Sequence, residues 1–347
     1  MTDLSAFLGK ITALRGISGD EAPVSEAIAE AFRPFCDAVT IDGMQSVTAR
    51  IKGAGPRVLI TAHLDEIGLV ATIIEDDGAV RFQRIGGVDP RILPGSRVTV
   101  HTEEGPLPGV VGALPPHLLS AADQKKNYKM EALFVDLGLP AARVKEIVHT
   151  GTQITLHGPL TALENGRYAA KTIDDRGGVA LMLRLAELLQ NRALACELFL
   201  VSAVQEEVGG LGAATSAYTL SPDIAIAIDV THAEMPGSEP DDVFPLEKVV
   251  LTEGPNIHPK LHAHLRTLAG KHRVDAQTAV CEHITWTDAA SLQIARAGVP
   301  TALVEIPLKY MHTTVEMVSM SVIEEGARLL AAFVTELSDG WEGLICY

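Results

Sequence analysis

Five short segments of the chain carry the side chains best suited to chemistry. They are AHLDEIGL with His63 and Asp65, KTIDDRGG with Asp174 and Asp175, VQEEVGG with Glu206 and Glu207, IAIAIDV with Asp229, and YMHTTVEM with His312. Imidazoles and carboxylates without a thiolate form a metal-competent set that suits zinc, cobalt or manganese and does not separate them. In extended chain an H-x-D pair projects both side chains to one face, so Asp65 can hold one ring nitrogen of His63 while the other points to a metal. Asp229 is the hardest of these residues to read as ordinary. It ends the apolar run IAIAI, where an unpaired buried charge is very costly. No Lys or Arg occurs between Pro222 and Glu247, so its partner comes from elsewhere in the chain or is a metal.

Taken singly, each segment also has a plain structural reading. An H-x-D pair can be a surface pair, and the acids of QEEVGG can begin a solvated helix under the helix dipole. Asp174 and Asp175 can cap the helix that follows them, and His312 can be a satisfied core histidine. His258, His262, His264 and His272 read as surface or packing residues, and Trp286 can line a pocket or simply pack.

Placement raises the group above its members. His63 and Asp65 follow the apolar run Val58 to Ala62, Glu206 and Glu207 follow ELFLVSAV, Asp229 closes IAIAI, and His312 comes just after TALVEIPL. Ligands bind an open α/β sheet at the carboxyl ends of its strands. Four buried strands thus deliver polar side chains to one edge.

The elements needed to position these residues are legible in outline. Ser18 to Glu21 form an S-x-x-E capping box before the helical PVSEAIAEAF. From Gly68 to about residue 160 come short alternating runs broken by Gly and Pro, including SRVTVHTEEG and TQITLHG, with one helical segment, PAARVKEIV. Such runs predict a small β-barrel or sandwich. The polar SAADQKKNYKMEA reads as an exposed loop within it. After about residue 170, strands alternate with helices such as GGVALMLRLAELLQN and EEGARLLAAFVTEL, which predicts a mostly parallel sheet flanked by helices. The expected fold class is α/β, with residues 1–67 and 161–347 in one domain and 68–160 inserted as a β-barrel-like domain.

Composition sets outer bounds. A chain of 347 residues, 47% hydrophobic and 21% charged, is long enough for a sizeable core. The net charge of −16 opposes nucleic acid as a partner, because phosphate binding needs basic surface. Four scattered cysteines, Cys36, Cys196, Cys281 and Cys346, argue against a disulfide framework and for a cytoplasmic protein with reduced thiols. No apolar run reaches the roughly 18–20 residues of a membrane span, and MTDLSAFLGK lacks the marks of a signal peptide.

Read together, the five segments resemble the M42 family of metallo-aminopeptidases, which includes the tetrahedral (TET) and glutamyl aminopeptidases. The match keeps the family's order and extends through RIGGVDPRILPG and LFVDLG, so it covers nearly the whole chain. The resemblance implies a di-zinc-peptidase-like fold and an aminopeptidase that removes the N-terminal residue of short peptides. It implies two divalent ions sharing a water: His63 and Asp229 on one, Glu207 and His312 on the other, and Asp174 bridging. Glu206 would be the general base and Asp65 the residue orienting His63. Sequence physics alone does not separate Asp174 from Asp175. The resemblance further implies dimers, made through the inserted domain, that assemble into a tetrahedral dodecamer. Two departures bear on specificity: a bulky Trp286 in HITWTDA, and Gly209-Gly210-Leu211-Gly212 where relatives often carry an arginine. The competing readings are a di-metal deacylase or carboxypeptidase on N-acyl compounds, a two-carboxylate glycosidase, and a metal-dependent scaffold.

Overall fold

A computed structural model describes residues 1–239, 243–337 and 340–346. The chain divides into two compact units, Met1–Asp65 with Pro159–Met311 and Val315–Tyr347, and Glu66–Gly158 with His312–Thr314.

The larger unit is built on an eight-stranded sheet. Its strands run in the order Ala38–Ile41, Val47–Ile51, Glu197–Ala203, Arg57–His63, Ile224–His232, Thr301–Leu308, Val249–Glu253, Ala276–Val280. The four central strands, Glu197–Ala203 through Thr301–Leu308, are mutually parallel. They are apolar at nearly every position because both faces are covered, as parallel strands require. On one face Val58, Ile60, Ile226, Ile228, Val304 and Ile306 join a core with the helices Ile173–Leu188, Pro259–His272 and Met320–Glu336. On the other, Leu59, Val201, Ala225, Ala227 and Leu303 meet the shorter helices Leu211–Leu220 and Asp288–Gln293. The architecture is the α/β class expected from the alternation of strands and helices.

The helix Ile173–Leu188 matters most for the site. It is buried over nearly its whole length, since it lies against the sheet and against the helices Leu4–Ala13 and Met320–Glu336. Arg176 is wholly buried there. It donates from Nε to Leu64 O at 2.9 Å and from Nη1 to Leu14 O at 2.8 Å and to Ile11 O. Backbone carbonyls thus solvate a guanidinium that water cannot reach. At Gly178 a Cβ would lie 2.5 Å from the Asp175 carboxylate and 2.8 Å from Ile228 Cγ2. Glycine is required for the helix start to press this closely on the strand that carries Asp229.

The smaller unit is a closed barrel in which the strands Gly68–Ile74, Val80–Ile85, Phe134–Asp136, Gly105–Gly112, Arg97–Thr102 and Gln153–Leu156 follow one another around the ring. Closure leaves no unpaired edge, and decides between the barrel and sandwich that the strand pattern allowed. Leu69, Val80, Phe82, Val100, Val135 and Ile154 fill it. PAARVKEIV forms the helix Ala141–Ile147, and residues 120–132 are largely exposed, with short 3₁₀ turns.

The capping box expected at Ser18–Glu21 does not form. The helix Ala22–Phe32 starts one residue after Glu21, with Pro23 in its first turn and no side-chain cap. Ser18 donates instead to Asp65 Oδ2 at 2.6 Å, and Glu21 Oε1 accepts the Gly19 N–H at 2.8 Å. A long-range carboxylate outcompetes the local cap.

Candidate metal centre

His63 closes its strand, buried, at the carboxyl end of the sheet. Its Nδ1 lies 3.3 Å from Asp65 O and 3.5 Å from Asp65 Oδ1. Its Nε2 faces Asp174 Oδ1 at 3.1 Å and Glu206 Oε2 at 3.9 Å. Both ring nitrogens therefore look at acceptors, which one neutral imidazole cannot satisfy. Either the ring carries two protons or a cation lies between Nε2 and the carboxylates. Burial opposes charge on His63, yet the hydrogen bonds to Asp174 and Asp65 carry its pKa well above the ordinary value.

His63, Asp174 and Asp229 each offer a ligand atom, all within 4.8 Å of one another. Asp174 is joined by a cis peptide to Asp175, and its N–H donates to Glu316 Oε2 at 3.1 Å. Asp229 lies within the strand Ile224–His232, which runs on past the point where the apolar run suggested it would end. Its Oδ1 accepts the Val230 N–H at 2.8 Å, whereas its buried Oδ2 has no hydrogen-bond partner among the described residues. Burial, then the nearby charges of Glu206 and Asp175, push the Asp229 pKa well above its ordinary range. Orphaned carboxylate oxygen in a cluster of mutually repelling acids is what a divalent cation would relieve. The residues present fit such an ion.

Asp175 is turned to a structural task. Its Oδ1 accepts the Gly178 N–H at 3.1 Å, the capping role that the sequence allowed for either acid. Asp174 is the one directed to His63.

Glu206 and Glu207 occupy a turn between the strand Glu197–Ala203 and the helix Leu211–Leu220, ahead of the helix rather than at its start. Gln205, just before them, sits in the left-handed region at φ 58°, and Thr172, before Asp174, has the same φ. Such backbone is costly for a residue with a Cβ and gathers at functional sites. Asp65 holds the turn in place: its Oδ1 accepts the Glu206 N–H at 3.0 Å and its Oδ2 the Glu207 N–H at 3.2 Å. Asp174 and Glu207 offer carboxylate oxygens within 4.8 Å of each other. Burial pushes the Glu206 carboxyl up to about 8, with Asp288 and Glu207 adding to the shift and His63 opposing it.

His312 also has positive φ, 61°. Its Nδ1 is 3.2 Å from Gly87 O, and a Cβ at position 87 would come within 2.5 Å of that nitrogen. A carbonyl only accepts, so Nδ1 carries the proton of the neutral ring and Nε2 keeps the lone pair.

Three contributors escaped the sequence reading. Ser18 anchors Asp65, Glu316 takes the Asp174 N–H, and buried Asp288 accepts from Thr61 Oγ1 at 3.4 Å. Glu316 stands four residues past His312 in the same quoted motif, the one signal that pointed to it. The four histidines between 258 and 272 pack or pair elsewhere. His258 and His262 are buried, His264 meets Phe333 edge-on, and His272 pairs with Glu336. None belongs to a group able to hold a metal among the described residues. Trp286 is 90% exposed, so it is not packed in the core of its own unit. The four cysteines are free.

A sheet whose four central strands are parallel, and whose carboxyl edge gathers two buried aspartates, a histidine and a pair of glutamates able to hold a metal, fits a hydrolase of the α/β peptidase class. Residues 45–329 match the M42 glutamyl aminopeptidase family, and the chain belongs to that family. It is 35% identical to lysyl aminopeptidase from Pyrococcus furiosus over 338 residues, covering 95% of this chain and 96% of the other. Among solved structures, the TET aminopeptidase of a marine sediment Thaumarchaeota archaeon superposes with a TM-score of 0.94 at 28% identity over 98% of both chains. The Pyrococcus horikoshii TET1 peptidase, which can assemble into a tetrahedron or a large octahedral shell, gives 0.86 at 30% identity over 96% of this chain and all of the other.

Proposed function

We propose that this M42 peptidase removes the N-terminal residue of short peptides at a two-ion centre. His63 and Asp229 would hold one ion, Glu207 and His312 the other, with Asp174 shared and Glu206 as general base. The observation carrying this reading is the buried trio His63, Asp174 and Asp229, with one Asp229 oxygen lacking a hydrogen-bond partner among the described residues and Glu206 directed at the same imidazole. When bound, zinc, cobalt or manganese would polarise the peptide carbonyl and neutralise the charge that develops on its oxygen.

The remaining chemistry belongs to the chain. Glu206 takes the proton of the attacking water and hands it to the leaving amine as the C–N bond breaks, acting as base and then as acid. Glu207, its neighbour, has a different task because Asp65 grips both backbone N–H groups and fixes which way the turn faces. His63 and His312 each have Nδ1 turned to an acceptor of the chain, which leaves Nε2 as the ligating nitrogen.

The assembly proposed is a homo-oligomer, dimers joined through the barrel and built into a tetrahedral dodecamer. It is supported by the TET relatives, one of which can assemble into a tetrahedron or a large octahedral shell. No described helix is long and apolar enough to cross a membrane, and the free cysteines suit the cytoplasm.

Glu206→Gln is the direct test. The variant should keep its metal content and its oligomeric state while hydrolysis of aminoacyl-anilides falls about 10²–10⁴-fold. Unchanged turnover would remove Glu206 from the mechanism, and cleavage of N-acyl substrates alone would replace the aminopeptidase by a deacylase.

A further inference from the structure

Glu305 lies in the middle of the strand Thr301–Leu308, whose eight residues are all buried. The register pairs it directly with Asp229 on the neighbouring parallel strand. Paired residues in parallel strands project to the same face, so Glu305 stands beside Asp229. Two residues earlier, Leu303 and Ala227 form the matching pair, and Ala227 in turn pairs with Thr61. Continued by two residues past its last pair, that register sets His63 in one row with Asp229 and Glu305, the first two on the candidate metal site and the third beyond it.

Glu305 is only 8% exposed and forms no ion pair among the described residues; the Thr252 hydroxyl donates to its Oε2. A carboxylate on a strand buried along its whole length carries a desolvation cost, and a single hydroxyl does not replace a counter-charge. The arrangement is explained if the counter-charge arrives with the substrate.

We infer that Glu305 is a specificity residue that receives the cationic side chain of an N-terminal lysine or arginine. The inference rests on the aminopeptidase reading. Distance selects the side chain over the α-amine. Adjacent strands are about 4.8 Å apart, so Glu305 lies roughly two strand spacings from His63. The α-amine is one carbon from the scissile carbonyl and stays close to the ions, whereas the four-carbon stem of lysine reaches further along the row. Thr252 holds one carboxylate oxygen in position, leaving the other to meet the ammonium or guanidinium.

The metal-loaded enzyme is assayed on lysyl-, arginyl-, leucyl- and glutamyl-p-nitroanilide. Wild type should favour lysine and arginine over leucine in kcat/KM. Glu305→Gln should lower the Lys/Leu ratio by about a hundredfold, most of it through KM, as expected when a buried charge pair loses one member. Glu305→Lys should raise the Glu/Lys ratio relative to wild type, a gain that mere damage to the fold cannot produce. Equal losses on all four substrates, or a wild type that cleaves leucine as well as lysine, would overturn the inference while leaving the aminopeptidase reading intact. Failure of the wild type to cleave any free-amine anilide would overturn both.

Discussion

The Asp65 carboxylate accepts the backbone N–H of Glu206 at 3.0 Å across 141 residues of sequence. Its other oxygen takes the Glu207 N–H and the Ser18 hydroxyl, and His63 stands beside it. One buried group therefore orients a candidate metal ligand and sets the turn that carries both the proposed base and another ligand. Burial opposes its ionisation, but hydrogen bonds from His63, Ser18 and Glu206 hold its pKa below the ordinary aspartate value.

Asp65→Asn keeps the shape and removes one acceptor. Its amide must face one of the two N–H groups with a donor, at a cost of about 1–3 kcal/mol for the group left unsatisfied. Metal affinity should fall about 10–100-fold, as for other groups that orient a ligand, with kcat falling alongside. Isothermal titration of the metal-stripped variant checks this. Wild-type affinity would show that Asp65 does not orient the site.

Gly178→Ala forces a methyl against the Asp175 carboxylate and Ile228. It should cost about 1–3 kcal/mol through overpacking and weaken metal binding, because the shift begins four residues from Asp174. Gly270→Ala is the control. Its Cβ would meet nothing within 4 Å in the helix Pro259–His272, so it should be neutral or stabilising by up to about 1 kcal/mol. Thermal melts of the two variants should move in opposite directions or differ by several degrees.

Burial pushes the Glu305 carboxyl from 4.5 up to about 7, against a weaker opposing effect of the Thr252 hydrogen bond. A folded-state value above the unfolded one means that folding favours the protonated form. The contribution is therefore fully present below about pH 4.5 and is lost as the pH rises through about 7, a change of order 3 kcal/mol. Glu305→Gln should gain stability relative to wild type between pH 5 and pH 8.5 in urea melts. A pH-independent difference would contradict the shift.

The candidate residues could be picked out of the sequence sooner than the way they are held. His63, Glu206, Glu207 and Asp229 could be placed because apolar strands announce their own ends, and ligands gather at the carboxyl ends of parallel strands. The Asp229 argument from charge burial met an oxygen with no hydrogen-bond partner among the described residues. The failed Ser18–Glu21 cap has the opposite lesson: local chemistry was sound, but Asp65, distant in sequence, offered Ser18 a stronger acceptor. The division of labour between Asp174 and Asp175 likewise depends on which carboxylate the helix start consumes. The pairing of Asp229 with Glu305 depends on register, which no single strand encodes.

The central claim is a two-ion centre with Asp174 shared, and anomalous diffraction from crystals of the zinc- or cobalt-loaded protein tests it most directly. Two peaks per protomer about 3.5–4 Å apart are predicted, one against His63 and Asp229, the other against Glu207 and His312, with Asp174 touching both. A single fully occupied peak, or metal bound away from Asp174, would contradict the account.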